Sequence, residues 1–155
     1  MSGAGEVTTD FAGEERAFRI RLGEIRKIES KCETGIGEVC RRLARAVYVQ
    51  NAAKGGDMLS ALATGVEIHA DDVRAPVYEG LVGGGMSSAE ATKLVRAEVD
   101  ERGMRGLLDN AAVALLVLIG SQDAPPGEPQ AGESPATPPN LSTSETSTAS
   151  EPRSA

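Results

Sequence analysis

The stretch EGLVGGGMSSAEATKLV, residues 79–95, places three glycines, Gly83 to Gly85, just ahead of a helical pattern. A glycine-rich turn feeding a helix N-terminus can hold phosphate, because free backbone N–H groups and the helix dipole both favour an anion there. Phosphate chemistry needs more than glycines. A nucleotide loop requires a strand leading in, then G-x-x-x-x-G-K-[ST] with a lysine at the phosphates. Here the lead-in is helical, Met86 follows Gly85, and the next lysine is Lys93, inside the following helix. A dinucleotide loop fails as well, because position 88 is serine. A structural reading fits residue by residue. One glycine can adopt the left-handed conformation that ends the first helix. Ser87 and Glu90 form S-x-x-E, the capping box that opens the second. The segment reads as an αα-hairpin.

The remaining reactive side chains are few. His69 is the sole histidine, with no second histidine for a metal and no nucleophile to serve, so a surface or capping role is expected. Asp71 and Asp72 stand at a predicted helix start, where capping and the macrodipole favour acids. Glu98, Asp100 and Glu101 lie beside Arg96 and Arg102, a solvated face with local ion pairs. Cys32 and Cys40 are in no C-x-x-C and read as reduced, partly buried thiols. No serine occupies a G-x-S-x-G elbow and no zinc-ligand spacing occurs. The expectation is a protein that is not an enzyme, with no catalytic, cofactor-binding or metal residues and no cofactor.

The elements that carry these residues follow from periodicity. Val7, Thr9 and Phe11 alternate, as do Phe18, Ile20 and Leu22, which predicts a β-hairpin over 5–22 turning at Gly13 and Glu14. The period then becomes helical. Helices are predicted at about 22–32, 36–48, 71–83, 87–102 and 104–120. Gly35 is the expected stop of the first. Residues 57–65 suggest one or two helical turns, and 66–70 weak strand character. Pro76 either costs the third helix a hydrogen bond or moves its start later. The fifth helix has Met104, Leu107, Leu108, Ala111, Ala112, Leu115 and Leu118 on one side and is apolar all round in its second half. Such a helix is central to a core or covered by another subunit. The fold class is mainly α (α+β): an N-terminal β-hairpin, then a bundle of about five short helices.

The chain has 155 residues, one domain's worth, with only two Phe, two Tyr and no Trp. The core must be built from aliphatic side chains and alanine. The domain is expected over residues 1–122. Beyond it, 17 of the last 33 residues are Pro, Ser or Thr, and Leu141 is the only large aliphatic side chain. That composition cannot offset its ordering entropy, so 123–155 is expected to be a disordered acidic tail. It holds five acids and one base, which leaves only −3 of the total −7 for residues 1–122. From Glu14 to Lys54 ten basic and six acidic residues give a local excess of positive charge, but without aromatic platforms or a motif. No nucleic-acid partner is expected, although Arg41, Arg42 and Arg45 on the second helix are where one would bind. The longest apolar run, Ala111 to Ile119, is nine residues against the ~20 of a membrane span. With no signal-peptide pattern at the N-terminus, a cytoplasmic protein without a membrane partner is expected.

The order of features resembles the small tail-assembly proteins of gene transfer agents and siphophage-like prophages. The residues that carry the resemblance are Glu29, Thr34-Gly35-Ile36, Asp72-Val73, Gly80-Leu81, Gly83 to Gly85 and Ser87 to Glu90, over about residues 5–122. Pro76 departs from the aliphatic or basic residue usual there. The resemblance implies a tail assembly chaperone that coats the long helical tape measure protein before the tube polymerises around it. It also implies a protein absent from the finished particle, and self-association into a homo-oligomer is expected. The family has also been labelled a tail tube protein, so a structural tube component is the alternative. A small helical regulatory or DNA-binding protein is a second alternative. The contact surface nominated is the last helix, Leu107 to Ile119, with the hairpin edge.

Overall fold

The computed structural model describes residues 5–54, 59, 63 and 65–121. Two strands, β1 (Glu6–Phe11) and β2 (Glu14–Arg19), are followed by α1 (Leu22–Cys32), α2 (Ile36–Lys54), α3 (Ala70–Gly83) and α4 (Ser88–Val95). A π-helical turn over Arg96–Asp100 leads to α5 (Gly103–Gly120). The mainly α architecture with an N-terminal antiparallel hairpin is as the periodicity predicts. The tail expected at 123–155 and most of the helical turns expected at 57–65 lie outside the described residues.

The hairpin pairs Val7 with Phe18 and Phe11 with Glu14. Its two-residue loop is therefore Ala12-Gly13, one residue earlier than Gly13-Glu14, with φ of 57° and 78°. Positive φ at both loop positions matches the turn to the right-handed twist of the strands. Phe11 and Phe18 meet edge to face at 6.0 Å, and both are buried with Ile20. The alternation stops there: Leu22 already belongs to α1 and is 63% exposed.

Polar side chains set the helix boundaries. Glu24 accepts the Arg21 N–H at 2.9 Å at the start of α1. The left-handed residue that ends α1 is Glu33, φ 53°, not Gly35. Glu29 reaches across that turn and accepts the Ile36 N–H at 2.9 Å, so one carboxylate ties the end of α1 to the start of α2. Residues 66–69 form no strand, and α3 starts at Ala70 with His69 as its N-cap. The Asp72 carboxylate accepts the His69 N–H at 3.1 Å. Pro76 therefore sits well inside α3 without delaying its start. It is fully buried, and it cannot donate to the Asp72 carbonyl one turn back.

The core is aliphatic. Ile28, Val39, Leu43, Val73, Val77, Leu81, Val99 and Val117 are all completely or almost completely buried around Phe18. The predicted fourth helix is divided, because after Val95 the chain widens and the Glu101 N–H reaches the Arg96 carbonyl, five residues back, at 2.9 Å. In α5 the buried face is Leu108, Ala111, Ala114, Val117 and Leu118, with Gly106 and Asn110. Of the stripe expected there, Met104 and Ala112 instead face solvent. Gly106 is the reason for that rotation. A side chain there would lie 2.4 Å from the Val99 carbonyl, so α5 presses its glycine face onto the π-helical turn. Asn110 then donates to the Glu98 carbonyl at 3.1 Å.

Candidate partner-binding surface

The glycine junction turns out to be a packing device. Gly85 has φ +107° and Ser87 accepts the Glu90 N–H at 3.3 Å, so the stop and the cap occur where the sequence places them. Gly83 and Gly84 serve another purpose. A Cβ on Gly83 would lie 2.1 Å from the Arg19 carbonyl oxygen, and one on Gly84 would lie 2.2 Å from that of Ala17. The end of α3 thus lies directly on the backbone of β2. The chain that the glycines let approach is the protein's own hairpin. Gly80 continues this contact one turn earlier, against Phe18 and Val117.

Most of the acidic and basic residues singled out by sequence are joined in ion pairs, some of them between elements. Asp72, fully buried, accepts from Arg42 at 3.4 Å. Arg42 is only 15% exposed and also reaches Glu38 at 3.2 Å, so it is turned into the protein and not out towards a partner. Arg41 pairs with Glu38, and this leaves Arg45 as the outward cation of the α2 trio with no ion pair among the described residues. The hydrogen bonds from Arg41, then the charges of Arg41 and Arg42, hold the Glu38 carboxyl down at about 2. Asp100 does not stay local: its carboxylate takes a two-pronged contact from Arg74 of α3, at 2.6 and 3.0 Å. Arg102 pairs with Glu98 and Arg96 with Glu101, both at 3.5 Å, as local ion pairs. His69 contacts Glu67 at 3.0 Å on the surface.

Both cysteines are free thiols. Burial first, then the charges of Asp72 and Asp71, push the Cys32 thiol up to about 12. Its Sγ donates to the Asp71 carbonyl at 3.3 Å. Burial also raises Cys40. Neither is poised as a thiolate nucleophile.

An open groove of about 500 Å³ lies between the end of α1, the first half of α3, α4 and the π-helical turn. Ala75, Tyr78 and Val95 line it with Lys31, Arg74 and Arg96. Lys31 lies 4.6 Å over the Tyr78 ring and pairs with Glu79 at 2.9 Å, and Arg74 is held by Asp100. The Thr92 hydroxyl donates to the Ser88 carbonyl at 2.7 Å. The groove offers a contact surface with its cations already partnered, not a nucleophile beside a base.

The nominated last helix divides into two faces. One is core. On the other, Leu116 and Ile119 are about half exposed, 46% and 47%, near exposed Ala112 and half-buried Leu115. Beyond Asp109 that face carries no charge. By length and mean hydropathy, 1.5 over 18 residues, α5 could cross a membrane, but core helices pass the same test, and α5 packs against β1, α2, α3 and the π-helical turn. The hairpin is a two-stranded sheet, so each strand has one neighbour within it. β2 is backed by α3, and Val7 of β1 packs against Gly120.

Residues 4–120 match the family described as "Phage tail tube protein, GTA-gp10". No curated protein and no solved structure matches the chain. The family supports the gene-transfer-agent and phage-tail resemblance, and its description agrees better with the tube alternative than with the chaperone reading. The match runs from the hairpin to the last turn of α5, so the chain belongs to the phage tail tube protein, GTA-gp10 family.

Proposed function

We propose that the protein is a non-enzymatic assembly factor of tail morphogenesis that binds the tape measure protein in the cytoplasm before the tube forms around it. The observation that carries this reading is the uncharged outer face of α5, where Leu116 and Ile119 stay half exposed on a helix whose other face is core. Exposed aliphatic side chains along one helix suit an amphipathic helical partner laid alongside. The described residues supply one two-stranded sheet and helices. A tube subunit needs a sandwich or barrel that can extend into rings. The second reading, a tube subunit, is favoured by the family's own description.

The test is co-expression of tagged protein with the long helical open reading frame encoded downstream, followed by affinity purification. The assembly role expects the tape-measure-like product to co-purify, and the double variant Leu116→Asp/Ile119→Asp to lose it while keeping its helical circular dichroism. Deleting α5 is not informative, because Ala111, Ala114 and Val117 are core. If the protein alone polymerises into rings or tubes under the electron microscope and ignores the downstream product, the tube reading replaces it. Sedimentation of the purified protein measures the self-association that the assembly role includes.

A further inference from the structure

The outer edge of β1 is open among the described residues. The hairpin closes on Phe11 and Glu14 across a two-residue loop, so that pair is hydrogen-bonded, and the bonded pairs then alternate through Thr9–Arg16 and Val7–Phe18. Glu6, Thr8 and Asp10 therefore point their backbone N–H and C=O groups away from β2. None of these groups has a hydrogen-bond partner among the described residues. Thr8 and Asp10 are exposed. The outer edge of β2 differs, because Gly83 and Gly84 of α3 lie on its Arg19 and Ala17 carbonyls. An unpaired strand edge is a template for one more strand.

The charges along this edge select the strand. The side chains of Glu6, Thr8 and Asp10 share the face of the hairpin turned from the core, opposite Arg19, Ala17 and Glu15. Asp10 and Glu15 thus stand directly across from each other, both exposed, and neither has an ion pair among the described residues. Like charges directly opposite on one face are destabilising. Counted in full, the two strands hold Glu6, Asp10, Glu14 and Glu15 against Arg16 and Arg19. Arg16 is taken by Glu14 at 2.8 Å, and Arg19 lies opposite Glu6, at the far end of the edge from Asp10. α5, which packs on β1, carries no charge after Asp109 to offset the acids. On the inner face Val7 and Thr9 are half-buried and uncharged. A second copy of β1 fits this edge badly: paired antiparallel about Thr8, it would set Glu6 against Asp10 twice.

We infer that the β1 edge takes an extended segment of another protein as a third strand, with lysine or arginine at alternate positions beside Glu6, Thr8 and Asp10. The residues between them are uncharged and lie beside Val7 and Thr9. A cation next to Asp10 and Glu15 offsets the one like-charge pair of the ladder, and the backbone groups of Thr8 gain partners. The inference does not depend on the tail-assembly role.

The experiment titrates the full ¹⁵N-labelled chain with the acetylated and amidated peptide KTKVKTK and follows amide hydrogen exchange by NMR. The expected result is exchange slowed several-fold at the Thr8 and Asp10 amides. The peptide KKTTVKK, of the same composition and charge but without the alternation, should leave both fast. Thr8→Pro removes an outward N–H without touching the β1–β2 ladder, and should abolish the protection while Tm is kept. Asp10→Lys, an exposed exchange that gives Glu15 an opposite charge, should keep or raise Tm and weaken KTKVKTK several-fold; it decides the matter if the proline variant does not fold. Three results overturn the inference: unchanged exchange at Thr8 and Asp10, equal affinity for the two peptides, or slow exchange at these amides before any peptide is added. The last would put a second copy, or another part of this chain, on the edge.

Discussion

Replacing Gly83 with alanine sets two effects of opposite sign against each other. Gly83 is the last residue of α3, and alanine is the better helix former by about 1 kcal/mol in a helix interior. On propensity alone the variant is stabilised. The tertiary contact opposes this. The new Cβ would lie 2.1 Å from the Arg19 carbonyl oxygen, where ordinary contact begins at 3.4 Å. The obstacle is backbone, so no side chain can swing aside. Either α3 or β2 must retreat by more than an ångström, and β2 carries Phe18, fully buried against Gly80 and Val117. Overpacking of this kind costs ~1–3 kcal/mol, and partial loss of the phenylalanine contacts adds to it. The net expectation is destabilisation by about 1–3 kcal/mol, a fall in Tm of about 5–15 °C for a domain of this size. Gly23→Ala is the control: it is helical with open space around it, so the same exchange should leave Tm unchanged or raise it slightly. Thermal unfolding followed by circular dichroism at 222 nm reads both. A Gly83→Ala protein as stable as the parent would refute the direct packing of α3 on the hairpin backbone.

Three further outcomes follow from the polar contacts. Asp72→Ala removes the acceptor of the His69 N–H and one partner of Arg42, which keeps Glu38; urea denaturation should show a loss of about 2 kcal/mol. Cys32 has its thiol pushed up to about 12 by burial, so at pH 8 a thiol reagent should modify it only after unfolding. Because the folded value is raised above the 9.0 of an ordinary thiol, its contribution to stability is present below pH 9 and is lost as pH rises towards 12. Glu38 is displaced the other way, from 4.5 to about 2, so its contribution is present above pH 4.5 and is lost as pH falls towards 2. Acid titration of Glu38→Gln against the parent, followed by circular dichroism, should show a shallower loss of stability for the variant in that window.

Much of this architecture is legible in the order of residues. The switch from period two to period 3.6 around Leu22 separates the hairpin from the helices, because a strand alternates faces at every residue and a helix returns to one face every three to four. Glycine and serine chemistry places the stop within Gly83 to Gly85 and the cap at Ser87, since both act within a few residues. The absence of a strand and a lysine around Gly83 argues against a phosphate loop in the same local way. What failed depends on neighbours. Glu33 rather than Gly35 ends α1 because Glu29 must reach over to Ile36. The outward faces of α2 and α5 follow contacts between elements: Arg42 turns in to Asp72 of α3, and Gly106 presses on Val99 of the π-helical turn. The partner of Gly83 and Gly84, the β2 backbone more than sixty residues earlier, is visible only once α3 is laid on the hairpin. Local patterning thus determined which elements form. Their rotation, and which charged side chains are joined between elements, were decided by tertiary packing, because backbone contact and buried charge are relations between distant residues that no local pattern encodes.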